Sequence, residues 1–150
     1  MSDPDTPKGY LLAGVPHAAA IGLHVLELGG GTVSAYVPYK AELIGNPDTG
    51  VIHGGVITAL LDNCCGIAVA SKSGQMGQIA TLDLRIDYMK PATPGEAINA
   101  FAECYKVTKN IAFVRGLAFQ GDRNDPVATC TAAFMLGTKS QPGANLAQKG

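Results

Sequence analysis

The run VITALLDNCCGIAVA, Val56–Ala70, constrains the fold more than any other part of the chain. It exceeds the roughly four to eight residues of a buried strand, so it reads as a helix, apolar on nearly every side. Such a helix needs cover around its whole circumference. Yet Asp62 stands in its middle, among Leu60, Leu61, Cys64, Cys65, Ile67, Ala68 and Val69. An ionised carboxylate placed there must reach polar partners or a cleft. A carboxylate held in a cleft is a candidate general base.

The remaining chain offers strands as cover. Before the helix, IGLHVLELGGGTVSAYVPYK reads as two strands turned at Gly29, Gly30 and Gly31. After it, QIATLDLRIDYMKP alternates, with Leu82, Leu84, Ile86 and Tyr88 on one face and Thr81, Asp83, Arg85 and Asp87 on the other. EAINAFAECYKVT, IAFVRGLAFQG and PVATCTAAFML follow, separated by turns at Lys109-Asn110 and at Gly121 to Pro126. Consecutive strands joined by short turns make an antiparallel sheet, and the helix must pack on one face of it. The class is α+β, with two strands, one helix and four strands in order. The first dozen residues and the closing TKSQPGANLAQKG, rich in Pro, Gly and small polar residues, read as mobile tails.

Of 150 residues, 47% are hydrophobic and 15% charged, enough for one domain core but little polar cover for a compact monomer. A homo-oligomer is therefore expected. With 11 basic and 12 acidic residues, a net charge of -1 and no basic run, no nucleic-acid footprint is expected. MSDPDTPKGY lacks a signal pattern, and no apolar run approaches the roughly 18 to 20 residues of a membrane span, so no membrane contact and a cytoplasmic location are expected. Cys64, Cys65, Cys104 and Cys130 show neither CxxC nor His-spaced ligand patterns; they read as reduced core residues, with no metal implied.

The start of the helix carries a second feature. His53-Gly54-Gly55 follows the turn Asn46-Pro47-Asp48-Thr49-Gly50. The first helical amides have no intrahelical acceptor, and two glycines leave them open to a carbonyl oxygen that acquires negative charge. His53 and Asp62 are nine residues apart, about two and a half turns and 13.5 Å of rise, which sets them on opposite faces. Two copies related by a two-fold axis can place the amides of one beside Asp62 of the other.

These residues resemble the hotdog-fold acyl-CoA thioesterases of the phenylacetic-acid-degradation (PaaI-like) type. The resemblance rests on N…G-x-x-H-G-G-V-I…L-x-D (Asn46, Gly50, His53, Gly54, Gly55, Asp62), TLDLRIDYMKPA…GE (Thr81 to Glu96) and the closing VATCTAAF, and spans about Ile21 to Gly137. It implies a single hotdog domain over residues 1–150: a curved six-stranded antiparallel sheet wrapped around one long central helix, assembled as a homodimer or homotetramer with sites at the subunit interface. It implies that the Gly54 amide, supported by Gly55 and the Asn46 side chain, polarises a thioester carbonyl. Asp62 of the partner then activates water or attacks directly, helped by the Thr81 hydroxyl. His53 either holds the loop or takes part in catalysis. Asn46 stands seven residues before His53, one more than its role calls for, so PDTG is expected to form a longer loop. By simple alternation Thr81 lies on the polar face of its strand, and meeting Asp62 requires a bulge or a sheet edge.

The expected substrate is an aryl- or short- to medium-chain acyl-CoA, with CoA as part of the substrate and no separate cofactor. Lys90, Lys109 and Asn110 match family positions near the nucleotide, and Val56, Leu60, Ile79 and Met89 are candidates for the acyl pocket. Two other functions fit the same residues: an enoyl-CoA hydratase or dehydratase using His53 with Asp62, and a non-catalytic acyl-CoA-binding protein.

Overall fold

The computed structural model describes residues 15–75 and 78–138, so the expected N-terminal tail lies outside the described residues, as does the C-terminal one beyond Thr138. The elements run α1 (Pro16–Ile21), the hairpin β1 (His24–Gly29) and β2 (Thr32–Val37), a 3-10 turn (Ala41–Leu43), a small hairpin β3 (Ile44–Asn46) and β4 (Val51–Ile52), and the long helix α2 (Gly54–Ser73). Four strands follow: β5 (Ile79–Tyr88), β6 (Ile98–Val107), β7 (Ile111–Phe119) and β8 (Ala128–Leu136). The main sheet has the order β1-β2-β6-β7-β8-β5 and is antiparallel throughout. Helix α2 thus carries the chain from beside one edge of the sheet to the other, leaving β1 and β5 as the edges.

The sheet can wrap the helix because the residues facing it are small. Ala100, Ala102, Ala112, Ala118, Ala128 and Ala132 are buried on that face, together with Val33, Val114, Cys104 and Cys130. Large residues on α2, Leu60, Leu61 and Val69, fill the space and are fully enclosed. Small residues on the concave surface and large ones on the helix give close packing without strain. At Gly116 the fit is tight: a Cβ would lie 3.0 Å from the Phe101 carbonyl oxygen and 3.1 Å from the Cys130 sulfur, so a side chain there would require its neighbours to give by a few tenths of an ångström.

Simple alternation fails in β5, and the reason bears on the site. The register slips between Thr81 and Asp83, so Leu82 is a bulge. Leu84, Ile86 and Tyr88 stay opposite the helix-facing Ala132, Cys130 and Ala128 of β8, as the sequence period predicts, but Thr81 now faces Phe134 on that same side. Leu82 turns outward and is 51% exposed. The required bulge is present, and it moves Thr81 onto the helix side.

Two further expectations are corrected. Helix α2 is long and apolar enough to cross a membrane by length and composition, with a mean hydropathy of 1.4, contrary to the reading that no run approaches that size. Ten of its residues are buried in the wrap of the sheet, which marks it as a core helix. The sequence reading also has no place for α1 or for the β3–β4 hairpin. Helix α1 is only six residues long, opened by Pro16 and closed by Gly22 in the left-handed region, too short to show a period.

Candidate active site

Helix α2 begins where the sequence places it. His53 is the N-cap, and its ring Nδ1 accepts the Gly55 N–H at 2.8 Å. The Val56 N–H bonds the His53 carbonyl at 3.0 Å. The expectation that Gly55 offers its amide to a substrate oxygen is corrected: the cap takes that amide, as a short polar ring can do at this position. The Gly54 N–H is left exposed and without an acceptor among the described residues. His53 holds the start of the helix. With Nδ1 accepting, a neutral ring carries its proton on Nε2 and has no lone pair left to act as a base.

Asp62 is half-buried, and it reaches a polar partner as an ionised carboxylate on this helix must. The core has no buried charged residue among those described. Its Oδ1 accepts the Thr81 hydroxyl at 2.9 Å, the contact that the bulge makes possible. Gly54, Thr58, Asp62 and Gly66, at four-residue spacing, form one stripe of α2 facing β5. Tyr88 lies against Gly54 and Thr58, Thr81 against Asp62, and Ile79 against Gly66. The free amide and the acid therefore share a side of the helix. What separates them is eight residues of rise, about 12 Å.

The Tyr88 hydroxyl donates to the Gly54 carbonyl at 3.0 Å, and the Thr58 hydroxyl reaches the same oxygen at 3.3 Å and bonds the Tyr88 hydroxyl. Neither residue has a role in the sequence reading. The spacing of Thr58 one turn after Gly54 is a signal for it, but only the tertiary structure brings Tyr88 there.

Asn46 ends β3. Its Oδ1 accepts the Asp48 N–H at 3.0 Å and its carbonyl accepts the Gly50 N–H at 2.8 Å, so PDTG forms the expected loop around it. The Asn46 Nδ2 has no partner among the described residues. Gly45, beside it, lies so close to the helix start that a Cβ there would meet the His53 Cα at 2.7 Å.

A cleft of about 440 Å³ opens at the start of α2, lined by His17 and Ile21 of α1, Glu42, Leu43, Ile44, His53, Gly55, Val56 and Ala59. Of the acyl-pocket candidates Val56 lines it. Leu60 does not: it is fully buried in the core and presents no surface to a ligand. Ile79 packs beside Gly66, and Met89 is exposed just beyond β5. Lys90 bonds Asp125 just past the Tyr88 end of β5. Lys109 and Asn110 form the exposed β6–β7 turn, where the Asn110 carbonyl bonds Leu136, opposite Ile79. The two cations thus sit at opposite ends of the sheet.

A model described as the thioesterase superfamily matches residues 49–127, a span holding His53, Gly54, Asp62, Thr81 and Tyr88. The chain belongs to that superfamily. A thioesterase-superfamily chain with these relatives is a thioester hydrolase. YigI of Escherichia coli K12, a medium/long-chain acyl-CoA thioesterase, is 25% identical over 108 residues, 63% of this chain and 68% of that one. A crystal structure of a Pseudomonas aeruginosa protein is 43% identical, with a TM-score of 0.77 over 84% of this chain and 93% of that one. A point mutant of the phenylacetic acid degradation protein PaaI from Thermus thermophilus is 26% identical, with a TM-score of 0.70 over 81% and 98%. The hotdog architecture and the PaaI-like resemblance read from the sequence both hold.

Proposed function

We propose that this thioesterase hydrolyses acyl-CoA at sites shared between two copies of the chain. The observation that carries the reading is the axial separation of the free Gly54 amide from Asp62. At about 12 Å, the two cannot serve one carbonyl carbon from a single chain.

The outer edge of β5 pairs with no strand among the described residues. Two such edges pairing antiparallel about a two-fold axis at Arg85 would set Leu84 opposite Ile86. Because the bulge adds one residue, Thr81 would then fall opposite Tyr88. Opposed residues would share a face throughout, and Asp62, held by Thr81, would meet Gly54, held by Tyr88 of the second copy. The same pairing would bring Lys90 of one copy to the end of β5 that carries the Lys109 turn of the other, a reason to expect the CoA phosphates there.

The thioester carbonyl oxygen accepts the Gly54 N–H, with the Asn46 Nδ2 as a second donor. Asp62 of the second copy takes a proton from water as its oxygen bonds the carbonyl carbon, and the Gly54 amide stabilises the oxyanion. Collapse breaks the C–S bond, and the proton passes from Asp62 to the leaving thiolate, giving free acid and CoA. The apolar floor of the cleft, Ile21, Leu43, Ile44 and Val56, suits an acyl chain. The His53 cap weighs against the hydratase reading, which needs that ring as a base.

The experiment is thiol release from a panel of acyl-CoAs by the wild type, Asp62→Asn, Gly54→Pro and a mixture of the two variants refolded together. Each variant alone is expected to be nearly inactive. Random mixing is expected to restore about a quarter of wild-type activity, since half the dimers then hold one intact site. A mixture as inactive as its parts would overturn the shared site, and an inactive wild type would overturn the substrate.

A further inference from the structure

A pair of glycines at the start of a helix is the least rigid way to present a hydrogen-bond donor, because each loses more backbone freedom than any other residue when it is ordered. An oxyanion donor is effective only if its direction is fixed before the reaction. The chain must therefore hold the Gly54–Gly55 segment by something other than its own side chains.

Its peptide groups are held almost completely. The peptide joining Gly54 to Gly55 is fixed at its N–H by His53 Nδ1 and at its carbonyl by the Tyr88 hydroxyl at 3.0 Å and the Thr58 hydroxyl at 3.3 Å. The two hydroxyls also bond each other, and however their protons are shared the Gly54 oxygen receives at least one. The peptide before it, joining His53 to Gly54, is fixed at its carbonyl by the Val56 N–H at 3.0 Å. The Gly54 N–H is what remains. Tyr88 is 52% exposed at the end of an edge strand, and its ring lies beside Gly54, 3.6 Å from where a Cβ would stand, an ordinary contact distance.

We infer that Tyr88 and Thr58 are positioning residues for the reaction: they aim the Gly54 amide by clamping the carbonyl of the next peptide, and touch no reacting atom themselves. With the Thr58 proton on the Tyr88 oxygen and the Tyr88 proton on the Gly54 oxygen, one of the arrangements these distances allow, the series from the Thr58 hydroxyl to the His53 ring polarises in one direction and each bond strengthens its neighbours. This inference rests on the thioesterase reading for its catalytic consequence, but the clamp itself can be measured without turnover.

The test compares the wild type with Tyr88→Phe, Thr58→Val and Thr58→Ser, using an acyl-CoA hydrolysed by the wild type. Two inhibitors are added: a trifluoromethyl ketone analogue of the substrate, which forms a tetrahedral oxyanion, and a thioether analogue, which does not. Tyr88→Phe is expected to lower kcat and weaken the ketone by a common factor of about three to ten, the range of one net hydrogen bond, leaving KM and the thioether unchanged. Thr58→Val should move the same quantities less, and Thr58→Ser should restore them. Amide hydrogen exchange at Gly55 should quicken in Tyr88→Phe. Equal losses for ketone and thioether would make Tyr88 a substrate contact and overturn the inference, as would unchanged kcat and exchange. Faster Gly55 exchange in a protein that releases no thiol would leave the clamp standing and remove the thioesterase reading instead.

Discussion

The two ends of the stripe that α2 turns toward β5 are built differently. At the Gly54 end, every neighbouring peptide group is bonded within the chain and one N–H is left over. At the Asp62 end, a half-buried carboxylate receives one hydroxyl bond among the described residues, which leaves its other lone pairs uncommitted there. The donor end is rigid because an amide has only its direction to offer. The acid end is open because a carboxylate that must take a proton and return it needs free lone pairs.

The sharpest way to break this contrast is to remove each group in turn. Asp62→Asn keeps the shape and the Thr81 bond but loses the base, and kcat for thiol release is expected to fall by about two to four powers of ten. Gly54→Pro replaces the N–H by a ring carbon while keeping the backbone: proline suits the first helical position, and His53, at ψ 133, already has the extended conformation that precedes it. A fall in kcat of about two to three powers of ten is expected, with Gly54→Ala, which keeps the amide, losing far less. Similar kinetics for the proline and alanine variants would show that the amide is not the donor.

Smaller effects follow at the supporting residues. Thr81→Val should reduce kcat by about tenfold or less, as the loss of one bond to a charged acceptor, and Thr81→Ser should recover most of it. His53→Ala removes the cap and is expected to cost about 1 kcal/mol, read as a lower midpoint in urea. A loss of activity with no change in midpoint would instead make His53 a participant in the chemistry.

The smallest effect on function is expected behind the stripe. Burial pushes the Cys64 thiol from the ordinary 9.0 up to about 12, and Cys65, 3.6 Å from the Cys130 sulfur, is raised by that contact and by burial. Thiolate is withheld in the folded state, so a thiol reagent at pH 8 should label Cys64 and Cys65 slowly in the native protein and quickly in denaturant. Linkage sets the sign for stability: the contribution of Cys64 is intact below about pH 9 and is lost as pH rises toward 12.

Much of this was legible in the chain. The length of the apolar run gave the helix, its flanking His-Gly-Gly gave the start, and alternation with turn residues gave all six strands of the main sheet. These are local signals, set by what each residue can bury or bond within a few positions of itself. The helix-facing alanines and cysteines of β6 to β8 obey the same period. The β3–β4 hairpin escaped because its two strands are too short to alternate, and α1 because it completes so few turns.

Sequence alone determined that a single acid would interrupt an apolar helix beginning at an exposed glycine pair, because composition and spacing along one element are enough for that. The tertiary structure decided which side the acid faces, which hydroxyl meets it, and which amide remains free. Those outcomes depend on one extra residue at Leu82 and on a tyrosine distant in sequence from the helix start it touches. A bulge reverses the parity of a strand without altering its local preferences, and a contact across packed elements leaves no period to be read.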